Sequence, residues 1–143
     1  MIIRLATVGD IDNITTMHQS YIQSWQGEEY FENHIDIDDP LVLVAEVLGK
    51  IIGYLVSRRE GNWIHLVSMA VSPLERVKGL GRGMTLELHS MALERGILGI
   101  YGHVRESNLV AQRLYRSTGF NFQWISDYED GDGKLEFFKK LTE

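Results

Sequence analysis

Three glycines, each two residues from the next, indicate a place where the backbone approaches a ligand. Gly79, Gly81 and Gly83 lie within the stretch Val71 to Met84, which joins a predicted strand to a predicted helix. Glycine permits close approach of the backbone, whose N–H groups can turn towards an anion. The positive end of the following helix favours an anion at the same place. The stretch also carries three basic residues, Arg76, Lys78 and Arg82. Together these features predict a cradle for a pyrophosphate group.

Other glycine-rich phosphate-binding sequences fit this stretch less well. A P-loop places Lys and then Ser or Thr directly after its glycines, and neither pair occurs here. A dinucleotide-binding fingerprint has the spacing GxGxxG after the first strand. Here the spacing is GxGxG, and the stretch follows the fourth predicted strand. An oxidoreductase domain that binds NAD is the functional alternative, and a flexible loop that only precedes a helix is the structural one.

Two motifs resemble signatures of the GNAT superfamily of N-acetyltransferases. The first is Arg76-x-x-Gly79-x-Gly81, with Val71 and Pro73 ahead of it, and it resembles the acyl-CoA signature. The second is Asn108-x-x-Ala111-x-x-Leu114-Tyr115-x-x-x-Gly119-Phe120. Within the superfamily, Val104-Arg105-x-Ser107-Asn108 looks most similar to ribosomal-protein and other N-terminal acetyltransferases. The resemblance implies direct transfer of an acetyl group from acetyl-CoA to a primary amine, with the N-terminal amine of a peptide or protein as the expected acceptor.

The resemblance also implies which residues contact the cosubstrate. The pyrophosphate is expected on the backbone of Val77, Lys78, Gly79, Leu80, Gly81 and Arg82. The pantetheine arm is expected to pair with the strand backbone at Met69, Ala70 and Val71, where one amide would stabilise the oxyanion. Asn108 is expected to contact the cosubstrate as well. These assignments follow from position in the motifs, since most of them concern backbone groups.

Tyr115 is the candidate general acid. It shares a helical face with Asn108 and Ala111, and the resemblance implies that it protonates the sulfur of coenzyme A. An unperturbed tyrosine has a pKa of ~10 and a thiol one of ~8.5, so the donation is close to balanced. A tyrosine that only packs under the sheet is the structural alternative.

Two histidines compete for the role of general base. His103 stands two residues before Arg105, where many ribosomal-protein acetyltransferases carry glutamate and some eukaryotic N-terminal acetyltransferases carry a histidine base. His65 occupies a strand position where other superfamily members place a basic glutamate. A neutral imidazole, pKa ~6.5, suits amine deprotonation at pH 7. We expect both side chains to face one cleft, with His103 favoured as base, although a lone strand histidine more often has a structural role.

Composition limits the remaining classes of function. The chain has 143 residues, a formal charge of −6 and no cysteine. One domain over residues 1–143 is expected from this length. The negative charge argues against a nucleic-acid partner, and no apolar run reaches the ~20 residues of a membrane span.

Without cysteine a covalent acyl-thiol and thiolate metal sites are excluded, and the cytoplasm is the expected location. A monomer or a homodimer is expected, and we expect no metal: His18, His34 and His89 lack metal-ligand spacing, and Asp36, Asp38 and Asp39 lack a calcium-loop pattern.

Hydrophobic periodicity and turn residues predict the order β-α-α-β-β-β-α-β-α-β-β. This order indicates a mixed α/β fold of the GNAT type, with a twisted mixed sheet of about seven strands and about four flanking helices. The second half predicts two parallel strand–helix–strand crossovers. Met84 is expected to begin the third helix, and Ser107 to cap the fourth.

Two segments are expected to border the acceptor, namely Ser24 to His34 and about Asp127 to Lys134. They and the end of the first helix contribute aromatic side chains, those of Tyr21, Trp25, Tyr30, Phe31 and Tyr128. They also contribute carboxylates, those of Glu28, Glu29, Glu129 and Asp130. Such a rim would attract a charged amino terminus or a polyamine. A small-molecule amine acetyltransferase and a catalytically silent acyl-CoA-binding domain are the alternatives, and a solvated face with hinge packing is the structural reading of the rim.

Overall fold

One sheet runs through the computed structural model, which describes residues 1–21, 27–73 and 79–141. Its strands are β1 Ile2–Leu5, β2 Leu41–Val47, β3 Lys50–Glu60, β4 Trp63–Val71, β5 Gly99–Arg105, β6 Asn121–Asp127 and β7 Gly133–Lys140. Their order in space is β1-β2-β3-β4-β5-β7-β6. All neighbours are antiparallel except β4 and β5, which are parallel. The predicted mixed sheet of about seven strands is therefore confirmed.

Helices cover both faces of the sheet. They are α1 Ile11–Tyr21, α2 Glu28–Ile35, α3 Leu80–Glu94 and α4 Leu109–Ser117, and a short 3-10 helix, Val8–Asp10, precedes α1. One core cluster joins α1 and α2 to the sheet, and the other joins α3 and α4 to its opposite face. Within the described part of the chain, no helix is long and apolar enough to cross a membrane.

Strand β2 shows why the sheet lies between two layers of helices. Successive side chains of a strand point to opposite faces. Accordingly Leu41 and Leu43 belong to the α3/α4 core, whereas Val42 and Val44 belong to the α1/α2 core. All four are essentially inaccessible to solvent. A continuous apolar run is typical of a strand that is buried on both faces.

Helix α3 begins four residues earlier than expected, at Leu80 instead of Met84. Gly79 precedes it with a left-handed φ of 86°, which lets the chain turn directly into the helix. Gly81 and Gly83 are therefore helical residues of the first turn. A Cβ on Gly81 would lie 3.2 Å from Leu114 Cδ2, so the absence of side chains lets α3 pack closely. The glycine-rich loop is shorter than the sequence indicated.

Only one of the two predicted parallel crossovers joins neighbouring strands. Strands β4 and β5 pair directly across α3, as expected. Strands β5 and β6 do not pair, because β7 lies between them and is antiparallel to both. Strand β7 carries the buried Phe137, at 1% exposure, whereas most of β6 is exposed. Burial of Phe137 in the core therefore favours the inner position for β7 and leaves β6 at the sheet edge.

The cap of α4 is Asn108, and the prediction of Ser107 was wrong by one residue. The Asn108 side-chain oxygen accepts a hydrogen bond from the backbone N–H of Ala111, at 3.1 Å. Ser107 instead donates its hydroxyl to Asp132 in the last hairpin. Both residue types are good caps, so only the contact with the hairpin distinguishes them.

Candidate active site

Strands β4 and β5 separate in the middle of the sheet. Their pairing covers Trp63 to His65 on β4 and Gly99 to Tyr101 on β5. Beyond this point β4 continues along β3, and β5 continues along β7. A β-bulge at Val67, where the register of β3 and β4 shifts, lies next to the point of separation. We call the opening between the two strands the strand gap.

Gly102 allows the two strands to approach each other at the base of the strand gap. A Cβ there would overlap the ring of Phe137 and would lie 2.6 Å from the carbonyl oxygen of Leu66. Neither neighbour can yield easily, because Leu66 contributes backbone and Phe137 is buried in the core. Glycine is therefore required at this position.

A cavity of about 730 Å³ lies beside the strand gap, and we call it the central cavity. It brings together β4, the start of α3 and α4. All of the expected cosubstrate residues that the structure describes line it: Met69, Ala70, Val71, Gly79, Leu80, Gly81, Arg82, Asn108 and Tyr115. The remaining lining residues are Ser20, Pro73, Val110, Ala111 and Leu114. Val77 and Lys78, together with Arg76, fall outside the described residues. Segments that are distant in sequence thus converge on one site.

The α3 end of the central cavity suits an anionic group. The first N–H groups of a helix have no partner within it, and the cap residue Gly79 supplies no side-chain hydrogen bond. The first turn of α3 contains no acidic residue. Arg82 donates to the carbonyl oxygen of Ser117 at 2.7 Å, which holds the start of α3 against the end of α4. This arrangement fits the pyrophosphate of a coenzyme A group.

Tyr115 also lines the central cavity and is only 6% exposed. Its ring is stacked on Phe137, with centroids 3.8 Å apart, and meets Phe120 edge-on. Burial raises the pKa of Tyr115 well above its usual value. The hydroxyl therefore stays protonated and can donate a hydrogen bond, but full proton transfer to a thiolate is less favourable than the sequence suggested. The alternative that Tyr115 is only a packing residue explains the stacking of its ring on Phe137. It does not explain why Tyr115 lines the cavity.

The two candidate bases lie on the other face of the sheet. Residues Ile100 and Val104 of β5 face α3 and α4, so alternation directs His103 towards the α1/α2 face. The rings of His65 and His103 lie 5.8 Å apart, edge to face. The structure thus brings both histidines to one place, as the sequence indicated, next to the strand gap.

Each histidine has a carboxylate beside it. Nδ1 of His65 lies 2.9 Å from Oε2 of Glu60, and the His65 ring is stacked on Tyr101 at 4.7 Å. Nε2 of His103 lies 3.7 Å from Oε2 of Glu136, its cross-strand neighbour on β7. Burial lowers the pKa of His65, and the Arg58 guanidinium lowers it further. Burial, followed by the charge of Lys134, lowers the pKa of His103. Both imidazoles are therefore neutral at pH 7 and can accept a proton.

The remaining histidines have structural contacts. His18 Nδ1 lies 2.6 Å from the Tyr54 hydroxyl, and His34 Nδ1 lies 2.8 Å from the carbonyl oxygen of Tyr30. His89 packs in the core against Phe120. Over the ranges that the structure describes, no group of three or more His, Asp or Glu side chains is placed to hold a metal ion.

The expected acceptor border is only partly available to a ligand. Phe31 is fully buried in the α1/α2 core, so its inclusion in the border was wrong. Tyr30 and Tyr128 are half-buried. Asp130 is paired with Arg105 at 2.8 Å. The side chain of Tyr21 and the whole of Trp25 lie outside the described residues.

Several residues of the site carried no usable signal in the sequence. Ser20 reaches the central cavity only because the end of α1 lies over β4. Glu136 and Glu60 stand beside the histidines through strand pairing and side-chain contacts. Leu114 belongs to the second motif, so its i+3 spacing from Ala111 could have assigned it to the cavity.

Comparison with known proteins agrees with this arrangement. The model of the Acetyltransferase (GNAT) family matches residues 11–120. An N-alpha-acetyltransferase from Sulfurisphaera tokodaii is 29% identical, with 92% of this chain and 87% of the relative covered. The chain therefore belongs to the Acetyltransferase (GNAT) family, and it is an acyltransferase enzyme.

Two solved structures show the same fold at low sequence identity. The ribosomal-protein-S18-alanine N-acetyltransferase of Escherichia coli has a TM-score of 0.86 at 22% identity, covering 99% of this chain and 94% of the other. The PaiA N-acetyltransferase of Thermoplasma acidophilum, solved in complex with coenzyme A, has a TM-score of 0.76 at 20% identity, covering 94% and 96%. The expected fold and family are confirmed.

Proposed function

We propose that this enzyme transfers an acetyl group from acetyl-CoA to the N-terminal amine of a peptide or protein. The observation that carries the proposal is the strand gap, which has Tyr115 on one face, the His65–His103 pair on the other and the central cavity beside it. An acyl donor and an amine can therefore meet from opposite sides of the sheet. The N-alpha-acetyltransferase relative supports the choice of acceptor.

Donor binding is assigned to the central cavity. The backbone of Gly79 to Arg82 holds the pyrophosphate at the positive end of α3. The backbone of Met69, Ala70 and Val71 lines the pantetheine path, and one of its amides faces the acyl oxygen. The side-chain oxygen of Asn108 accepts a hydrogen bond from the backbone N–H of Ala111 at the start of α4. Its amide NH₂ is therefore the group that can contact the cosubstrate. Acetyl-CoA supplies the acetyl group as an activated thioester.

Proton removal from the acceptor is assigned to the histidines. An amine terminus is largely protonated near neutral pH and must lose a proton before it can attack. We assign this step to His103, directly or through water, because it lies beyond the last paired residues, where β5 borders the strand gap. His65 is the second candidate. Their neighbours Glu136 and Glu60 stabilise the imidazolium that forms.

Stabilisation of the leaving sulfur of coenzyme A is assigned to Tyr115. Since burial keeps its hydroxyl protonated, its role is to donate a hydrogen bond to the thiolate as negative charge develops. This role needs no complete transfer of the phenolic proton, because the second proton that the acceptor nitrogen loses when the amide forms can pass to the thiolate.

Further parts of the proposal rest on composition. We propose that residues 1–143 act as one catalytic domain in the cytoplasm, where a chain without cysteine has no need of an oxidising environment. The bordering carboxylates that are not paired, such as Glu129, would attract a cationic acceptor.

A comparison of acceptors tests the proposal. The enzyme is incubated with acetyl-CoA and with a free N-terminal peptide, the same peptide with a blocked terminus and an internal lysine, or spermidine. We expect mass spectrometry to find the acetyl group on the free terminus. Acetylation of only the lysine or only spermidine would contradict the assigned acceptor. Coenzyme A binding without any product would indicate a silent binding domain.

A further inference from the structure

The tip of the last hairpin is fastened to the loop between β5 and α4. Four residues make the fastening, which we call the hairpin clasp: Arg105, Ser107, Asp130 and Asp132. Arg105 donates to Asp130 Oδ2 at 2.8 Å and lies 3.6 Å from Asp132 Oδ2. The same guanidinium lies over the ring of Tyr128, 4.1 Å from its centroid. One side chain thus holds three residues of the hairpin.

The two carboxylates of the hairpin clasp are themselves held in place. The backbone N–H and the hydroxyl of Ser107 both donate to Asp132. The backbone N–H of Asp132 donates to Asp130 Oδ1 at 3.0 Å. The backbone N–H of Glu106 also donates to the carbonyl oxygen of Gly133 at 2.8 Å. The hairpin tip therefore has a defined position relative to the β5–α4 loop.

The loop is anchored in turn to α4. Gln112 is 5% exposed, and its Nε2 donates to the carbonyl oxygens of Arg105 at 3.1 Å and Glu106 at 2.8 Å. The cap residue Asn108 and the first turn of α4, through Val110, line the central cavity. A continuous set of contacts therefore joins the hairpin to the cavity.

We propose that Arg105 is a positioning residue for the acceptor, because through the hairpin clasp it holds the hairpin at a set position beside the histidine pair. The inference rests on the proposed function, in which the acceptor amine meets the histidine pair and carboxylates of the hairpin, such as Glu129, border it. Arg105 lies two residues after His103 on β5, so both side chains point to the same face of the sheet. The acceptor thus meets a surface that is already ordered.

The exposure of the hairpin clasp favours positioning over stabilisation. The side chains of Arg105 and Asp130 are 45% and 60% exposed. Ion pairs with this exposure contribute little to the stability of the folded state. A binding surface that must be ordered during association loses affinity, because side-chain and loop freedom are lost at that moment. Removal of Arg105 should therefore affect acceptor binding more than folding.

The variant Arg105→Gln tests the inference, and Arg116→Gln is its matched control. Arg116 is another exposed arginine whose guanidinium lies over an aromatic ring, that of Phe122, at 4.9 Å, but it belongs to α4 and not to the hairpin clasp. We expect Arg105→Gln to raise KM for the acceptor peptide up to roughly tenfold. Its Kd for coenzyme A and its melting temperature should match those of Arg116→Gln. Amide hydrogen exchange at residues 129–133 should rise only in Arg105→Gln.

Two outcomes would overturn the inference. One is unchanged hydrogen exchange at residues 129–133 in Arg105→Gln, which would show that the hairpin does not depend on Arg105. The other is an unchanged acceptor KM, which would show that Arg105 does not position the acceptor; a weaker Kd for coenzyme A beside it would place Arg105 on the donor side. Failure of the proposed function is distinguishable, because the wild-type enzyme would then acetylate no peptide terminus while the exchange experiment still reports on the hairpin clasp.

Discussion

The imidazole rings of His65 and His103 meet edge to face, with centroids 5.8 Å apart and an interplanar angle of 79°. They come from the two strands that separate at the centre of the sheet. Each ring has a carboxylate beside it, and burial lowers the pKa of both. The α1/α2 side of the strand gap therefore presents two neutral imidazoles, and the proposed function assigns the proton of the amine to one of them.

Alanine substitution of each histidine distinguishes the two candidate bases, His103 and His65. His103→Ala should lower kcat by roughly a hundredfold or more, the usual effect of losing a positioned base, while the Kd for coenzyme A stays unchanged. His65→Ala should have a smaller effect on kcat, because His65 lies within the paired part of β4. Steady-state kinetics and calorimetry on both variants check this. A larger loss of turnover in His65→Ala would reverse the assignment.

The pH dependence of the reaction follows from the same pair. A base must be neutral to accept a proton, and the pKa of His103 lies below the ordinary 6.5. We expect kcat to stay constant as the pH falls from 8 to about 6.5 and to decrease at lower pH. Measurement of kcat at saturating acceptor between pH 5 and 8 tests this. The acidic decrease should disappear in His103→Ala, and its persistence there would point to another group.

Tyr115→Phe tests hydrogen-bond donation to the leaving sulfur. We expect kcat to fall roughly a hundredfold, because one donor to a developing charge is lost. The phenyl ring preserves the stacking on Phe137, so the melting temperature and the Kd for coenzyme A should hardly change. Unchanged turnover would contradict a role of the hydroxyl and would leave Tyr115 as a packing residue.

Gly79→Ala tests the anion site, and Gly96→Ala is its control. Both glycines have a left-handed φ, 86° and 66°, and at both positions a Cβ would have open space. Each substitution should cost about 1 kcal/mol of stability from backbone strain. Only Gly79 lines the central cavity, so only Gly79→Ala should weaken coenzyme A binding. Calorimetry and urea unfolding measure the two effects, and equal affinities in the two variants would contradict the assigned pyrophosphate site.

His89 makes the stability of the fold sensitive to acid. Burial, with a smaller contribution from Lys139, lowers its pKa to about 4. Because the pKa of His89 is lower in the folded state than its unfolded value of about 6.5, the neutral side chain contributes fully to the stability of the fold above this pH. The contribution is lost as the pH falls towards 4. The difference between these two pKa values corresponds to roughly 3 kcal/mol when the titration is complete. Urea unfolding should therefore show that the free energy of unfolding decreases less between pH 7 and pH 5 in His89→Leu than in the wild type. Equal decreases would show that His89 is not the source of the acid sensitivity.

Local patterns in the sequence were sufficient for most elements. Apart from the short 3-10 helix, the observed order of elements, β-α-α-β-β-β-α-β-α-β-β, is the one that the sequence predicted. The boundaries that failed depend on distant residues. Gly81 and Gly83, which are helical residues of α3, lie close to Leu114 and Ile3, and Ser107 is not a cap because its hydroxyl donates to Asp132.

The sequence alone determined the family and the segments that form the site. The two motifs, around Gly79 and around Tyr115, are local, since glycine conformation and helical spacing act over a few residues. Only the tertiary structure decided how these segments meet. Strand order and register place Glu136 opposite His103, bring His65 next to His103 and place β7 between β5 and β6. Such pairings depend on which faces are buried in the whole sheet, and a local pattern cannot specify them.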